Sequence, residues 1–303
     1  MTIRASCFIL CIAVASGCTG TKWPVPPPVD EAKYQKEYAE LTKEQQETAT
    51  YALSLVGAWQ LREGDTAFGS DPGLAIVLPA KAIPPHGGVF RRSGDSITVV
   101  PEPGVRLTRE DGSVITTSAR LDEGSPLVLG SVHIEFYPVP PAIFMDGRDT
   151  DAPALQNLHV DAFPIDSRWR VAARFDAFDH PKTVKIATTQ GTVDDETAVG
   201  QLVFRFDRQE YRLTALGEPG SNQFFVMFKD DTNGATTFSG YRMLSPQAVA
   251  NGEWTVLDFN FARNPPCAYS KFTMCPLPPK ENRLALAVEA GMKRDPMARG
   301  YSE

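Results

Sequence analysis

A short segment near the C-terminal end carries the residue types best suited to chemistry. Residues 257–284, LDFNFARNPPCAYSKFTMCPLPPKENRL, combine prolines, two cysteines and several amide and carboxyl side chains. Asp258 and Asn260 lie two residues apart at a predicted strand end, so their side chains point to the same side and place a carboxylate beside an amide. The pair is suited to binding a ligand, and equally suited to capping the loop by pairing with backbone groups that proline leaves unpaired.

Arg242 is the cation we associate with this segment, either as a buried partner of Asp258 or as an anion-binding group. Tyr241 and Tyr269 are candidates for lining a pocket, although aromatic side chains more commonly pack in a core. If the protein is an enzyme, Asp258 is the candidate acid or base and Arg242 the candidate group for an anionic substrate. The predicted ligand-binding set is Tyr241, Arg242, Asp258, Asn260, Asn264, Tyr269 and Asn282.

The interpretation of the cysteines depends on the N-terminal sequence. Arg4, the apolar run 5–15 and the Ala-Ser-Gly-Cys sequence at 15–18 resemble a bacterial lipoprotein signal peptide, which predicts cleavage before a lipidated Cys18. A plain secretory signal cut nearby is the alternative, and the run is too short to span a bilayer. The absence of an Asp directly after Cys18 favours the periplasmic face of the outer membrane.

Two of the five cysteines lie in the predicted signal, so only Cys267 and Cys275 remain besides the lipidated one. Export favours a disulfide between them, which would staple the proline-rich loop, while metal ligation and free thiols stay open. The prolines at 265–266 and within 276–279 exclude both a helix and a central strand, so the loop is expected to be rigid.

Several function classes lack their usual signals. The chain has no G-x-S-x-G elbow, no phosphate-cradling glycine loop and no H-E-x-x-H motif, and its four histidines are scattered. We therefore expect no cofactor and no metal site. The net charge of −7 without a basic run disfavours nucleic-acid binding.

The elements that position these residues divide the chain into successive parts. Residues 18–29 are predicted to form an extended, proline-rich tether, and residues 30–57 a short helical segment in two pieces, the second with a capping box at Thr42 and Gln45 and a stop at Gly57. We interpret the helix as scaffold. Short alternating runs then predict β domains at 58–150 and 151–293, followed by a tail at 294–303.

The first half resembles a known sandwich. The motifs FGSDP, AIVLP and HGGVF within residues 68–90 are similar to the opening strands of forkhead-associated domains, which bind phosphothreonine through an Arg and a Ser. Ser70 and Ile83 stand at those two positions here, and only His86 matches. The resemblance therefore implies the fold without phosphopeptide binding.

The second half carries the motifs FPID, WRV, DFN, NPPCAY, CPLPP and NRL. With matches that begin at Trp59, these motifs resemble the bacterial DUF1684 family of unknown function, which implies no established activity. The chain departs from the family pattern at Phe261, Arg263 and Met292. If the family is enzymatic, these departures imply a lost or changed activity.

Together, these patterns predict a mainly β protein: a forkhead-associated-like β-sandwich, then a second antiparallel β-sheet or barrel, with a short N-terminal helix. The leading hypothesis is a monomeric, lipid-anchored binding or structural module of the bacterial envelope. Its pocket for an unknown small-molecule or envelope ligand is predicted at the DFN/NPPC loop, rimmed by Arg242, Asp258, Asn260 and Asn264. The alternative is a hydrolase-like enzyme.

Overall fold

A computed structural model describes residues 23–121, 126–139, 141–189 and 191–295. Within them the protein is mainly β, with one α-helix and several antiparallel sheets, which confirms the predicted fold class. The predicted signal peptide, Cys18 and most of the C-terminal tail lie outside the described residues.

The helix α1 (Glu31–Ser54) begins at Asp30, whose carboxylate accepts a hydrogen bond from the backbone N–H of Lys33 at 3.1 Å. The predicted division into two pieces is wrong. The Thr42 hydroxyl donates to the carbonyl of Tyr38, one turn earlier, so its hydrogen bond lies within a continuous helix. It does not cap the start of a second helix. Gly57 does not stop the helix either, because the chain enters a strand at Leu55.

The first domain is a sandwich of two sheets. Its strands are β1 (Leu55–Leu61), β2 (Gly64–Gly69), β3 (Ile76–Val77), β4 (Gly88–Ser93), β5 (Ser96–Pro101), β6 (Leu107–Arg109), β7 (Val114–Ile115), β8 (Ala119–Leu121), β9 (Leu127–Leu129), β10 (Val132–Val139) and β11 (Ala142–Asp149). One sheet has the order β1-β11-β10-β9-β6-β7 and the other β3-β2-β4-β5-β8. Phe90 of one sheet contacts Phe136 of the other, with ring centroids 5.4 Å apart, so the two sheets share one core.

The second domain is built on long, paired strands. They are β12 (Arg170–Ala187), β13 (Val193–Phe206), β14 (Gln209–Leu216), β15 (Val226–Phe228), β16 (Arg242–Leu244) and β17 (Trp254–Asp258). The main sheet has the order β14-β13-β12-β17, and β15 pairs with β16 beside it. All three residues of β15 are buried: Val226 and Phe228 belong to one apolar cluster and Met227 to another, as expected for a strand covered on both faces.

The turn after β15 is longer than the Asn-Gly signal predicts. β16 begins only at Arg242, and the segment between the strands folds around Asp230, whose Oδ1 accepts hydrogen bonds from the backbone N–H and the hydroxyl of Thr232. Asn233 accepts from the backbone N–H of Asp230, and Gly234 takes a positive φ of 82°. The side chains of the loop therefore replace ladder pairing with local turns.

The residues that precede the helix lie against the second domain instead of standing clear of it as a spacer. The Trp23 ring makes an edge contact with Trp254 at 5.0 Å, and the guanidinium of Arg205 lies 4.7 Å from the Trp23 ring centroid. The Arg170 guanidinium donates to the carbonyl of Pro27 at 2.7 Å. Aromatic and cation–π contacts thus hold the described part of the predicted tether on the sheet.

Candidate functional site

An open cleft of about 460 Å³ lies where α1 crosses the end of the main sheet of the second domain. We call it the Asp258 cleft. It is lined by Pro28, Val29, Asp30, Lys33, Tyr34, Glu37, Arg170, Leu244, Ser245, Pro246, Val256, Leu257, Asp258 and Phe261. Its volume is in the range of small-molecule sites, and it combines apolar walls with a few converging polar groups.

Asp258 is the last residue of β17, and its carboxylate is the best-connected polar group of the cleft. Oδ2 accepts a hydrogen bond from the Tyr34 hydroxyl at 2.9 Å and lies 3.4 Å from Nε of Arg170. Oδ1 accepts from the backbone N–H of Asn260 at 3.1 Å and from its side-chain amide at 2.9 Å. Three hydrogen bonds and the Arg170 guanidinium thus surround the carboxylate, whose side chain stays 14% exposed to the cleft.

Burial has the largest effect on the pKa values of Asp258 and Tyr34. Removal from water raises the pKa of Asp258, against the opposing effect of the hydrogen bonds from Tyr34 and Asn260 and of the nearby Arg170 charge. Burial, followed by the neighbouring Asp258 carboxylate, raises the pKa of the Tyr34 hydroxyl. Tyr34 therefore stays protonated and donates, while Asp258 is a carboxyl group whose proton affinity is increased.

The helix supplies the other wall of the cleft. Tyr34 packs edge-on against Phe261 with ring centroids 5.2 Å apart, and Tyr38 makes a similar contact at 5.8 Å. Lys33 and Glu37 face each other at 3.7 Å on the exposed rim. Besides the scaffold role predicted for it, α1 therefore contributes the hydroxyl that donates to Asp258.

Asn260 lies beside Asp258, as predicted, but for a different reason. The chain leaves the strand at Asp258 and enters a short 3-10 helix (Phe259–Phe261) that the Asp258 carboxylate caps. The Asn260 side chain is buried, accepts from the backbone N–H of Asp166 at 3.1 Å and donates to the Asp166 carbonyl at 3.0 Å. Asp258 thus performs the capping role that the sequence left open, and Asn260 fastens the backbone at Asp166.

Asn264 joins the loop to the helix. Its backbone N–H donates to the Gln45 side chain at 2.9 Å, and the Gln45 amide donates back to the Asn264 carbonyl at 3.2 Å. The Asn264 side chain donates to the Lys293 carbonyl at 2.7 Å and to the Tyr269 hydroxyl at 3.4 Å. Both Asn264 and Tyr269 are buried, and neither lines the Asp258 cleft.

Arg242 is a core residue, so its placement on the rim of the pocket is wrong. It is fully buried, and its partner is Asp230 at 2.6 Å, not Asp258. The guanidinium also donates to the carbonyls of Val288, at 2.9 Å, and Ala290. A buried charge requires a paired charge and further hydrogen bonds; Asp230 supplies the charge, and the segment at Val288 and Ala290 supplies the carbonyls.

Asn282 and Tyr241 are also buried in the interior of the second domain. The Asn282 amide donates to the carbonyls of Thr214 and Met227, at 3.0 and 2.8 Å, and accepts from the backbone N–H of Thr214 at 2.7 Å, which ties its loop to two strands. Tyr241 is buried beside Cys267 and Cys275, and burial, followed by the two thiols, raises the pKa of its hydroxyl.

Cys267 and Cys275 are both buried. They belong to one apolar cluster with Tyr241, and the Cys275 thiol, together with burial, raises the pKa of Cys267. The disulfide between them stays a prediction. Among the residues that the structure describes, no group of three His, Cys, Asp or Glu side chains is arranged to hold a metal ion.

The residues that sequence reasoning missed are Tyr34, Lys33 and Arg170. Tyr34, Leu41 and Gln45 are buried at helical spacing on a segment that is otherwise polar, and this stripe was the available signal for a helix face against the second domain. Arg170 pairs in register with Asp258 across β12 and β17, which no local pattern predicts. In the part of the chain that is described, no helix is long and apolar enough to cross a membrane.

Comparisons with known proteins gave a family match in the second half of the chain. A family model described as a protein of unknown function, DUF1684, matches residues 157–293. The solution NMR structure of an uncharacterized protein of Haloarcula marismortui is 31% identical over 46% of this chain and 77% of that one, with a TM-score of 0.39. No curated protein matches. The chain belongs to the DUF1684 family.

Proposed function

We propose that this protein is a binding module that takes a small polar ligand in the Asp258 cleft. The observation that carries the proposal is the carboxylate itself, which lies beside the Arg170 guanidinium in a cleft of suitable volume, is partly exposed and has increased proton affinity. Buried polar groups of this kind give orientation and specificity to a ligand, whereas the apolar walls give it affinity.

The lining indicates the chemistry of the ligand. Asp258 accepts hydrogen bonds, and the Arg170 guanidinium beside it donates them. The rim carries Lys33 and Glu37, one charge of each sign, and so favours neither a strong anion nor a strong cation. A neutral or zwitterionic molecule with hydroxyl or amine donors, packed against the Phe261 ring, fits this set of groups best.

A catalytic role for the same carboxyl is the second candidate. Its favouring observation is the raised pKa of Asp258, since a carboxyl that keeps its proton closer to neutral pH is a better general acid. The anion-binding part of that hypothesis cannot use Arg242, which is enclosed with Asp230. Arg170 takes that place in the cleft.

A thermal-shift screen of the soluble domains against sugars, amino acids and other envelope metabolites tests the binding function. A ligand at about a hundred times its Kd adds about 2.7 kcal/mol to the free energy of unfolding. Asp258→Asn should abolish that gain, whereas Asp65→Asn, which removes an exposed carboxylate paired with Arg91 in the first domain, should keep it. A gain that survives in Asp258→Asn contradicts the proposal, and turnover of the ligand selects the enzyme.

The setting we propose for this module is the bacterial envelope. The sequence pattern that ends at Cys18 supports a lipid anchor, with the monomeric protein on the periplasmic face of the outer membrane. Replacing Cys18 with Ala should release the protein into the soluble fraction. Retention of the Cys18→Ala variant in membranes contradicts the anchor.

The finer features of the two domains belong to the same proposal. The two-sheet form of the first domain supports the forkhead-associated-like interpretation, in which Ile83 is buried in the core and no phosphate-binding Arg follows Gly69.

Export supports a bridge between Cys267 and Cys275, which would add about 2 to 3 kcal/mol by closing a short loop. Mass spectrometry without reductant tests the bridge, and two alkylatable thiols in protein purified from the envelope contradict it.

A further inference from the structure

A second cavity, of about 410 Å³, lies at the CPLPP loop, which comprises residues 275–279. It shares no lining residue with the Asp258 cleft. We call it the cationic pocket. Its lining is Lys185, Ile186, Ala187, Lys229, Leu277, Pro278, Pro279, Lys280, Asn282 and Arg283.

The lining charges of this cavity are all positive. Four of its ten lining residues are Lys or Arg, and none of the ten is Asp or Glu, in a chain whose net charge is −7. Lys185 has a neighbouring acid, Asp195 at 2.8 Å, but this pair is 75% and 59% exposed and therefore strongly screened. Within the described chain, Lys280 and Arg283 are exposed and form no ion pair. Cations gathered in a concave, partly apolar wall raise the local concentration of anions.

The backbone holds these cations in place before any ligand arrives. Leu277 donates to the carbonyl of Ala187 at 2.7 Å, which fixes the CPLPP loop beside the strand that carries Lys185. Lys229 and Arg283 are partners in a parallel bridge, so their side chains lie next to each other. The buried Asn282 amide secures this arrangement through its three backbone hydrogen bonds, and the prolines limit motion of the loop.

We infer that the cationic pocket binds a phosphate monoester. A guanidinium fork with lysine ammonium groups around it complements a phosphate dianion, because Arg binds two of its oxygens and the lysines supply charge. The apolar wall formed by Leu277, Pro278 and Ile186 accommodates the organic part of the ester. Preorganised backbone reduces the entropy that binding would otherwise cost.

The phosphate monoester has two possible sources, a soluble metabolite and a lipid headgroup, and two probes distinguish them. Calorimetry with sn-glycerol 3-phosphate reports on the soluble form. Co-sedimentation with phosphatidylcholine vesicles that contain phosphatidic acid, against vesicles of phosphatidylcholine alone, reports on the lipid. Both probes carry the same phosphate chemistry, so binding to either supports the inference and shows the source.

The variant pair Lys280→Gln/Arg283→Gln should weaken binding of the effective probe by at least about tenfold, which corresponds to about 1.4 kcal/mol. The control pair Lys36→Gln/Lys43→Gln removes two exposed cations from α1, outside the pocket, and should leave binding within about twofold. The substituted residues of both pairs are exposed, and the melting temperature of each variant confirms that it is folded. Failure of both probes to bind the native protein, or equal losses in the two variant pairs, overturns the inference.

Discussion

The second domain contains two carboxylate–guanidinium pairs whose surroundings differ. Asp230 and Arg242 are both fully buried and lie 2.6 Å apart, and the guanidinium also donates to two backbone carbonyls. The Asp258 and Arg170 side chains are 14% and 19% exposed, lie 3.4 Å apart and face a cleft. The first pair is enclosed by the loop that it organises, whereas the second keeps the solvent access that a ligand requires.

The difference lies in how far each pair is removed from solvent. A charge in the interior costs several kcal/mol to desolvate, and the Asp230–Arg242 pair offsets this only because each partner has further hydrogen bonds. Asp258 carries part of the same cost, which appears as its raised pKa. The Asp230–Arg242 pair is thus closed off from solvent, whereas the Asp258–Arg170 pair stays partly exposed to the cleft.

The largest expected effect separates the two pairs by stability. Arg242→Met leaves the Asp230 carboxylate buried without its cation and should lower the free energy of unfolding by about 3 to 5 kcal/mol. Arg174→Met, at the surface pair with Asp176, should cost about 1 kcal/mol or less. Urea denaturation measures both, and equal losses in the two variants would mean that Arg242 is not enclosed.

A smaller effect is expected at the cleft. Tyr34→Phe removes the hydroxyl that donates to Asp258 and should cost about 1 kcal/mol, since the ring packing against Phe261 is kept. Tyr38→Phe is the matched control on the same helix, because Tyr38 also packs on Phe261 but does not contact Asp258. Urea denaturation of the two variants isolates the hydroxyl, and a cost for Tyr38→Phe as large as that for Tyr34→Phe would refute its assigned role.

The smallest effect concerns pH. Because burial raises the pKa of Asp258, the folded state holds this proton more tightly than the unfolded chain does, whose carboxyl has a pKa of about 3.9. The stabilising contribution of Asp258 is therefore fully present below that value and is lost as the pH rises through the folded pKa. Asp258→Asn should remove this component from the pH dependence of unfolding, while Asp65→Asn should retain it. An unchanged pH profile in Asp258→Asn contradicts the raised pKa.

The sequence predicted the architecture better than the site. Alternation identified β10, in which Val132, Ile134 and Phe136 are buried as expected, and the apolar run identified β15. The periodicity of apolar residues is sufficient to predict such strands, because each strand buries a regular set of side chains. The same reasoning placed Asp258 at a pocket but gave it Arg242 as a possible partner. Arg242 is not paired with Asp258 in the strand register, and it is buried in the core.

The correct partners of Asp258 come from far along the chain, and this explains the error. Tyr34 is separated from Asp258 by 224 positions and Arg170 reaches it through strand pairing, so only the tertiary fold brings them together. The sequence shows that a polar residue lies near a motif. Whether that residue is buried depends on distant segments that pack over it in the fold. Asn282 shows the same effect, since an amide predicted to bind a ligand is used to fasten a loop.

Mapping a bound ligand by NMR tests the central claim most directly. Amide chemical-shift changes caused by a ligand from the thermal-shift screen should be concentrated in residues 28–37, 170, 244–246 and 256–261, which include the lining of the Asp258 cleft. The amides around Asp230 should stay unchanged, because its pair with Arg242 is enclosed. Changes centred on Arg242, with none at Tyr34 or Asp258, would show that the wrong pair has been assigned to binding.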